Sequence, residues 1–137
     1  MSRFLFLLCC ISIFNLELFG AQAGYWQSGG EIKLKKDQPF RISLLLNNEQ
    51  KDIVFHWTLY KNKGLVTVLK YDGFPYQFVL YTDYQRESFK LKLLRASARH
   101  EESPFMLLTF KEFDRRTKEA TLEFKFRSPS EKLDVTY

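Results

Sequence analysis

Between Ile32 and Arg127, one run after another alternates apolar and polar side chains. A chain that alternates this way is committed to β-strands, because only a strand sends successive side chains to opposite faces. Ile32 and Leu34 fall on one side, and Glu31, Lys33 and Lys35 on the other. After Pro39, Phe40, Ile42, Leu44 and Leu46 alternate with Arg41, Ser43 and Leu45. Ile53, Phe55, Trp57 and Leu59 then oppose Val54, His56, Thr58 and Tyr60. The cleanest run is the last, with Leu122, Phe124 and Phe126 inward and Thr121, Glu123, Lys125 and Arg127 outward.

Between these runs lie short polar segments with turn chemistry. They are residues 47–52, Lys61-Asn62-Lys63-Gly64, the Asp72-Gly73 pair, residues 83–87 and residues 114–119. Leu65 to Leu69 is apolar on both faces, which predicts a central strand. Only residues 95–103 have helical character, and Pro104 ends them. Aromatic residues make up 17% of the chain, and rings favour the pleated, half-buried surface of a sheet. The pattern predicts an all-β fold of about eight strands, an antiparallel β-sandwich that is immunoglobulin-like in general architecture. A small closed β-barrel is the alternative. The sandwich is preferred, since strands with one polar face dominate and no interior polar set marks a ligand-filled barrel.

The N-terminal segment reads as a cleavable export signal over residues 1–23. Arg3 gives a positive start, Phe4 to Phe14 is an uncharged apolar run, and Ala21-Gln22-Ala23 places small residues where a signal peptidase reads. The run is too short to span a bilayer, which takes roughly 20 apolar residues. Residues 24–30 then read as a flexible lead-in, 31–128 as one β domain and 129–137 as a tail. Both cysteines, Cys9 and Cys10, leave with the signal, so the mature chain forms no disulfide and depends on packing. This predicts a periplasmic or secreted protein, with lipid anchoring through Cys9 or Cys10 as a minor alternative.

No catalytic, metal or cofactor motif is present. The mature chain has no thiol, no nucleophile elbow, no phosphate loop, no dinucleotide fingerprint and no zinc-protease helix motif. His56 lies mid-strand and His100 in a charged loop beside Glu101 and Glu102, where adjacent residues seldom converge on one ion. Asp72, Asp83, Glu87, Glu112 and Asp114 occupy strand ends or turns, the ordinary places for acids. No catalytic residue, metal or cofactor is assigned. Gly24-Tyr25-Trp26 resembles the Gly-x-Trp opening of lipocalin-class barrels, over three residues alone. A ligand cavity in such a barrel also needs more room than a chain this short provides.

Charge placement is the better clue. The leader takes Arg3 and Glu17, one charge of each sign, so the net +5 stays with the mature chain. Lys33, Lys35, Arg41, Lys90, Lys92, Lys125 and Arg127 all fall on outward positions of alternating strands. On one sheet they would form a basic face for an anionic partner, either a protein or an anionic envelope component such as lipid headgroups or acidic polysaccharide. Nucleic acid is a poor candidate for an exported domain. The competing reading is that lysines on outer positions solvate the sheet and discourage edge pairing. The turn aromatics Tyr71, Phe74 and Tyr76, with Tyr81 and Tyr84, are candidate interface anchors or caps of the sandwich end. The sequence therefore predicts a non-enzymatic binding or assembly module. A carrier of a small apolar ligand is the alternative, and a carboxylate-dependent hydrolase a third reading.

Overall fold

The computed structural model describes residues 25–83, 85–94 and 103–137; the leader and most of the segment with helical character lie outside the described residues. Nine strands form, and no helix, among the described residues. They are β1 (Ser28–Lys35), β2 (Phe40–Leu46), β3 (Glu49–Lys61), β4 (Gly64–Tyr71), β5 (Phe74–Tyr81), β6 (Ser88–Lys92), β7 (Phe105–Asp114), β8 (Glu119–Arg127) and β9 (Leu133–Thr136). One sheet has the order β1-β8-β7-β6 and the other β5-β4-β3-β2-β9, with every pairing antiparallel. The sheets do not close into a barrel. The two-layer sandwich is the architecture the alternation predicts, whereas the path through it is up-and-down rather than Greek-key. Strands β2 to β5 form one meander and β6 to β8 another, and β1 returns beside β8.

Local chemistry explains the long meander. Asn47 and Asn48, Asn62 and Lys63, and Asp72 and Gly73 all have positive φ. Each pair is thus the two-residue loop of a tight hairpin, whose backbone twist matches the right-handed twist of the flanking strands. Asn, Asp and Gly tolerate this conformation best, so the sequence selects the turn and the turn fixes the register. The segment expected to be a turn at 47–52 contracts to Asn47-Asn48, and β3 begins at once.

Between the sheets, Leu34, Ile42, Phe55, Leu69, Leu108 and Phe124 are among the side chains fully removed from water. Two bulges shape one end of this core. The first, between Trp57 and Leu59, reverses the phase of β3, turning Leu59 outward and Tyr60 inward. The expected continuation of the Ile53-Phe55-Trp57 face through Leu59 is therefore corrected: Leu59 is half exposed, and Tyr60 takes the core position. The second bulge, between Phe110 and Glu112, brings Phe113 inward from the opposite sheet. Phe113 stacks on Tyr60 with ring centroids 4.0 Å apart and meets Trp57 edge-on at 5.7 Å.

Two buried side-chain hydrogen bonds tie the layers. The Trp57 indole N–H donates to the Leu34 carbonyl oxygen at 2.8 Å, and the Tyr71 hydroxyl donates to the Leu93 carbonyl oxygen at 2.7 Å. Among the described residues no buried side-chain polar atom lacks a partner. Both expected end segments are more ordered than their composition suggested. β1 starts at Ser28, inside the stretch read as a lead-in, and the tail contains β9, which pairs with β2. Tyr137 then donates its hydroxyl to the Gly29 carbonyl at 2.8 Å and meets the Phe124 ring edge-on.

A cationic and aromatic sheet face as the candidate site

Six of the seven basic residues singled out by the alternation lie on the outer face of the four-stranded sheet. Lys33 and Lys35 come from β1, Lys125 and Arg127 from β8, and Lys90 and Lys92 from β6. Arg41 does not join them. It projects from β2 in the other sheet, where its guanidinium meets the Asp52 carboxylate at 2.6 Å. Its outward position could be read from the sequence, but its layer depends on a chain crossing that alternation does not encode.

The six divide into two zones along the strands. At one end Lys35 faces Glu119, which faces Asp114, and Lys33 lies across Thr121 from Glu112. Charges of both signs alternate there, as in an ordinary solvated sheet face with supportive cross-strand pairs. At the other end the acids thin out. Lys125 is flanked by Gly29 and Leu107, with Lys90 one strand further on, and Arg127 is followed across the sheet by Phe105 and Lys92. Only Lys125 of these four has a carboxylate at ion-pair distance among the described residues, Glu123 at 3.3 Å.

Aromatic rings separate these cations. Trp26, just ahead of β1, packs edge-on against Phe105 at 5.9 Å and against Tyr25 at 5.0 Å. The Arg127 guanidinium lies 3.6 Å from the Tyr25 ring centroid, the Lys90 ammonium 4.2 Å from that of Phe105, and the Lys125 ammonium 5.7 Å from that of Trp26. Each contact contributes roughly 0.5–1 kcal/mol at an exposed site. More important, the rings hold three long side chains over the sheet and reduce the rotamer freedom lost when an anion binds. Tyr25, Trp26 and Phe105 carry no mark in the basic pattern. For Phe105 a signal was available, since it is out of phase with the inward Met106, Leu108 and Phe110.

The turn aromatics behave differently from one another. Tyr71 is not an exposed anchor: it is 5% exposed and bonded to Leu93, so it caps the sandwich end. Burial foremost, with help from the Asp72 charge and Tyr76, pushes its hydroxyl from 10.0 up to about 12. Tyr76 is half buried against Phe89, while Phe74 is exposed at the turn and 6.2 Å from Tyr76. Tyr81 is half buried, and Tyr84 lies outside the described residues.

The acidic residues hold local structure. Asp72 pairs with Lys51 at 3.5 Å and Asp83 with Lys63 at 2.9 Å. The Asp114 carboxylate accepts the backbone N–H groups of Arg116 and Thr117, which holds it below the usual carboxylate range. Among the described residues no group of three or more His, Cys, Asp or Glu could hold a metal ion. Comparison with protein families, curated proteins and solved structures finds no match to the chain.

Proposed function

We propose that the protein is an exported, non-enzymatic binding module that holds an acidic polysaccharide on the outer face of its four-stranded sheet. The observation that carries this reading is the row in which Lys90, Lys125 and Arg127 lie over Phe105, Trp26 and Tyr25. Ammonium and guanidinium groups attract carboxylates or sulfates, and aromatic rings offer their electron-rich faces to the C–H faces of sugars. An open sheet face suits an extended chain better than a compact ligand. Export rests on the order of charge, apolar run and small residues within positions 1–23.

The test is binding of the purified protein to a polyuronate and to heparin, with dextran as the uncharged reference, by isothermal titration at low salt. The acidic polymers bind and dextran does not. The triple variant Lys90→Glu, Lys125→Glu, Arg127→Glu, with an unchanged circular dichroism spectrum, binds at least about tenfold more weakly. Equal binding by the folded triple variant, or equal binding of dextran, would end this reading.

A further inference from the structure

A concavity at the same end of the sandwich lies between the sheets, beside the cationic row. Its walls are Lys51 of β3, Tyr71 and Asp72 at the end of β4, Phe74 and Tyr76 of β5, and Lys92 with Leu93 at the end of β6. Two ammonium groups thus flank one mouth from opposite layers, and two rings line its side. The cavity measures about 290 Å³. Ligand pockets run from roughly 300 to 1,000 Å³, so this one admits a single ring rather than an oligomer.

The floor is built rather than incidental. Tyr71 spends its hydroxyl on the Leu93 carbonyl, and the Leu93 N–H donates to the Pro104 carbonyl at 3.0 Å, so both backbone groups of Leu93 are fixed. The Lys51 side chain is 17% exposed and lies along this floor, its ammonium 5.9 Å from the Tyr71 ring centroid. Asp72 holds that ammonium at 3.5 Å from the solvent side, being 53% exposed itself. An ammonium has three donors, so Lys51 keeps hydrogen-bonding capacity for a ligand. Lys92 has no carboxylate at ion-pair distance among the described residues. It also belongs to the sheet face already described, which makes the pocket continuous with that face.

We propose that this pocket is a subsite for one acidic sugar residue, with its carboxylate between Lys51 and Lys92 and its ring against Phe74 and Tyr76. The inference rests on the polysaccharide reading for the identity of the ligand, but on separate residues for its geometry. It assigns Asp72 an opposing role. Its carboxylate orients Lys51 and at the same time repels the incoming anion.

The experiment titrates the full-length protein with galacturonate monomer and, separately, with polygalacturonate, following tyrosine fluorescence and heat. In the unaltered protein the monomer binds and competes with the polymer. Lys51→Gln with Lys92→Gln abolishes monomer binding and weakens the polymer about tenfold, whereas Asp72→Asn tightens the monomer severalfold. That gain is one that a purely structural aspartate would not give. If the monomer fails to bind, or binds the double-glutamine variant equally, the pocket assignment is wrong. Polymer binding that survives in the double-glutamine variant but not in the Lys90, Lys125, Arg127 triple variant would sink the subsite and leave the sheet-face reading standing. Monomer binding without polymer binding would do the reverse.

Discussion

Trp57 and Leu34 belong to opposite sheets, and the indole N–H of the first is bonded at 2.8 Å to the backbone carbonyl of the second. Trp57 is 4% exposed and Leu34 1%, so water cannot replace that bond. Trp57→Phe keeps most of the ring volume but leaves a buried carbonyl without its donor, at about 1–3 kcal/mol. Trp57→Ala also empties the space beside Phe113 and costs about 3–5 kcal/mol. Urea unfolding of the purified protein measures both, and equal stability of Trp57→Phe and the unaltered protein would mean that packing alone joins the layers here.

The tie at the other end responds to pH. Since the Tyr71 hydroxyl titrates at about 12 when folded against 10.0 ordinarily, the unfolded chain gives up this proton first. The stability that the protonated hydroxyl supplies is fully present below pH 10 and is lost as pH climbs through 12. An ultraviolet titration of the seven tyrosines shows a last ionisation near pH 12 that Tyr71→Phe removes. The same variant frees the Leu93 carbonyl and lowers stability at neutral pH by about 1–2 kcal/mol.

Gly29 is required by close approach rather than by turn geometry. A Cβ there would stand 2.7 Å from the Phe124 carbonyl oxygen, a backbone atom fixed by pairing between β1 and β8. Gly29→Ala therefore destabilises by about 1–3 kcal/mol, as overpacking does. A thermal midpoint that does not fall in Gly29→Ala would show that β1 can move away from β8.

Salt separates the two faces. Raising ionic strength from about 0.05 to 0.5 M shortens the screening length several-fold and releases the protein from an acidic polysaccharide column. Arg41→Glu leaves retention unchanged, because Arg41 points from the other sheet and is already paired with Asp52. Loss of retention in Arg41→Glu would instead show that net charge, and not the row beside Trp26, governs binding.

The outer face of the five-stranded sheet makes a different prediction. Leu59, Val66 and Val79 occupy one rung across β3, β4 and β5, with Leu59 50% and Val79 41% exposed. Leu59→Thr with Val79→Thr changes stability by no more than about 0.5 kcal/mol each while raising solubility, because little buried area is lost. A fall well beyond that in the melting temperature would place these side chains in a packed interior.

Most of the fold is local information, and that part was legible. Alternation named the inward residues of β2 and β8 correctly, and Asp72-Gly73 fixed a hairpin, since both depend on neighbours a few positions away. The bulges at Trp57 and Phe110 were not legible. Each adds one residue to a strand, and Phe113, the ring that Tyr60 meets after its phase change, lies more than fifty positions on. The run Leu65 to Leu69, apolar on both faces, named a central strand correctly, since β4 lies between β3 and β5, and Val66 and Val68 on its second face are half buried. A central position within a layer and a buried second face leave the same mark in a sequence. At the candidate site the cations were visible from period two alone. Tyr25 and Trp26 were not, because their role comes from lying beside Phe105, and Lys51 was hidden among the residues of an apparent turn.

The pairing of β1 with β8 and of β9 with β2 bears on the order in which the molecule assembles. The hairpins from β2 to β5 close through two-residue loops and need nothing distant, so they form early. The four-stranded layer cannot. Leu34 has no in-sheet neighbour until Ala120 arrives, and the nascent chain must wait for almost its whole length before β1 finds its place. During that interval the inner faces of the first meander stay wet and open to other chains.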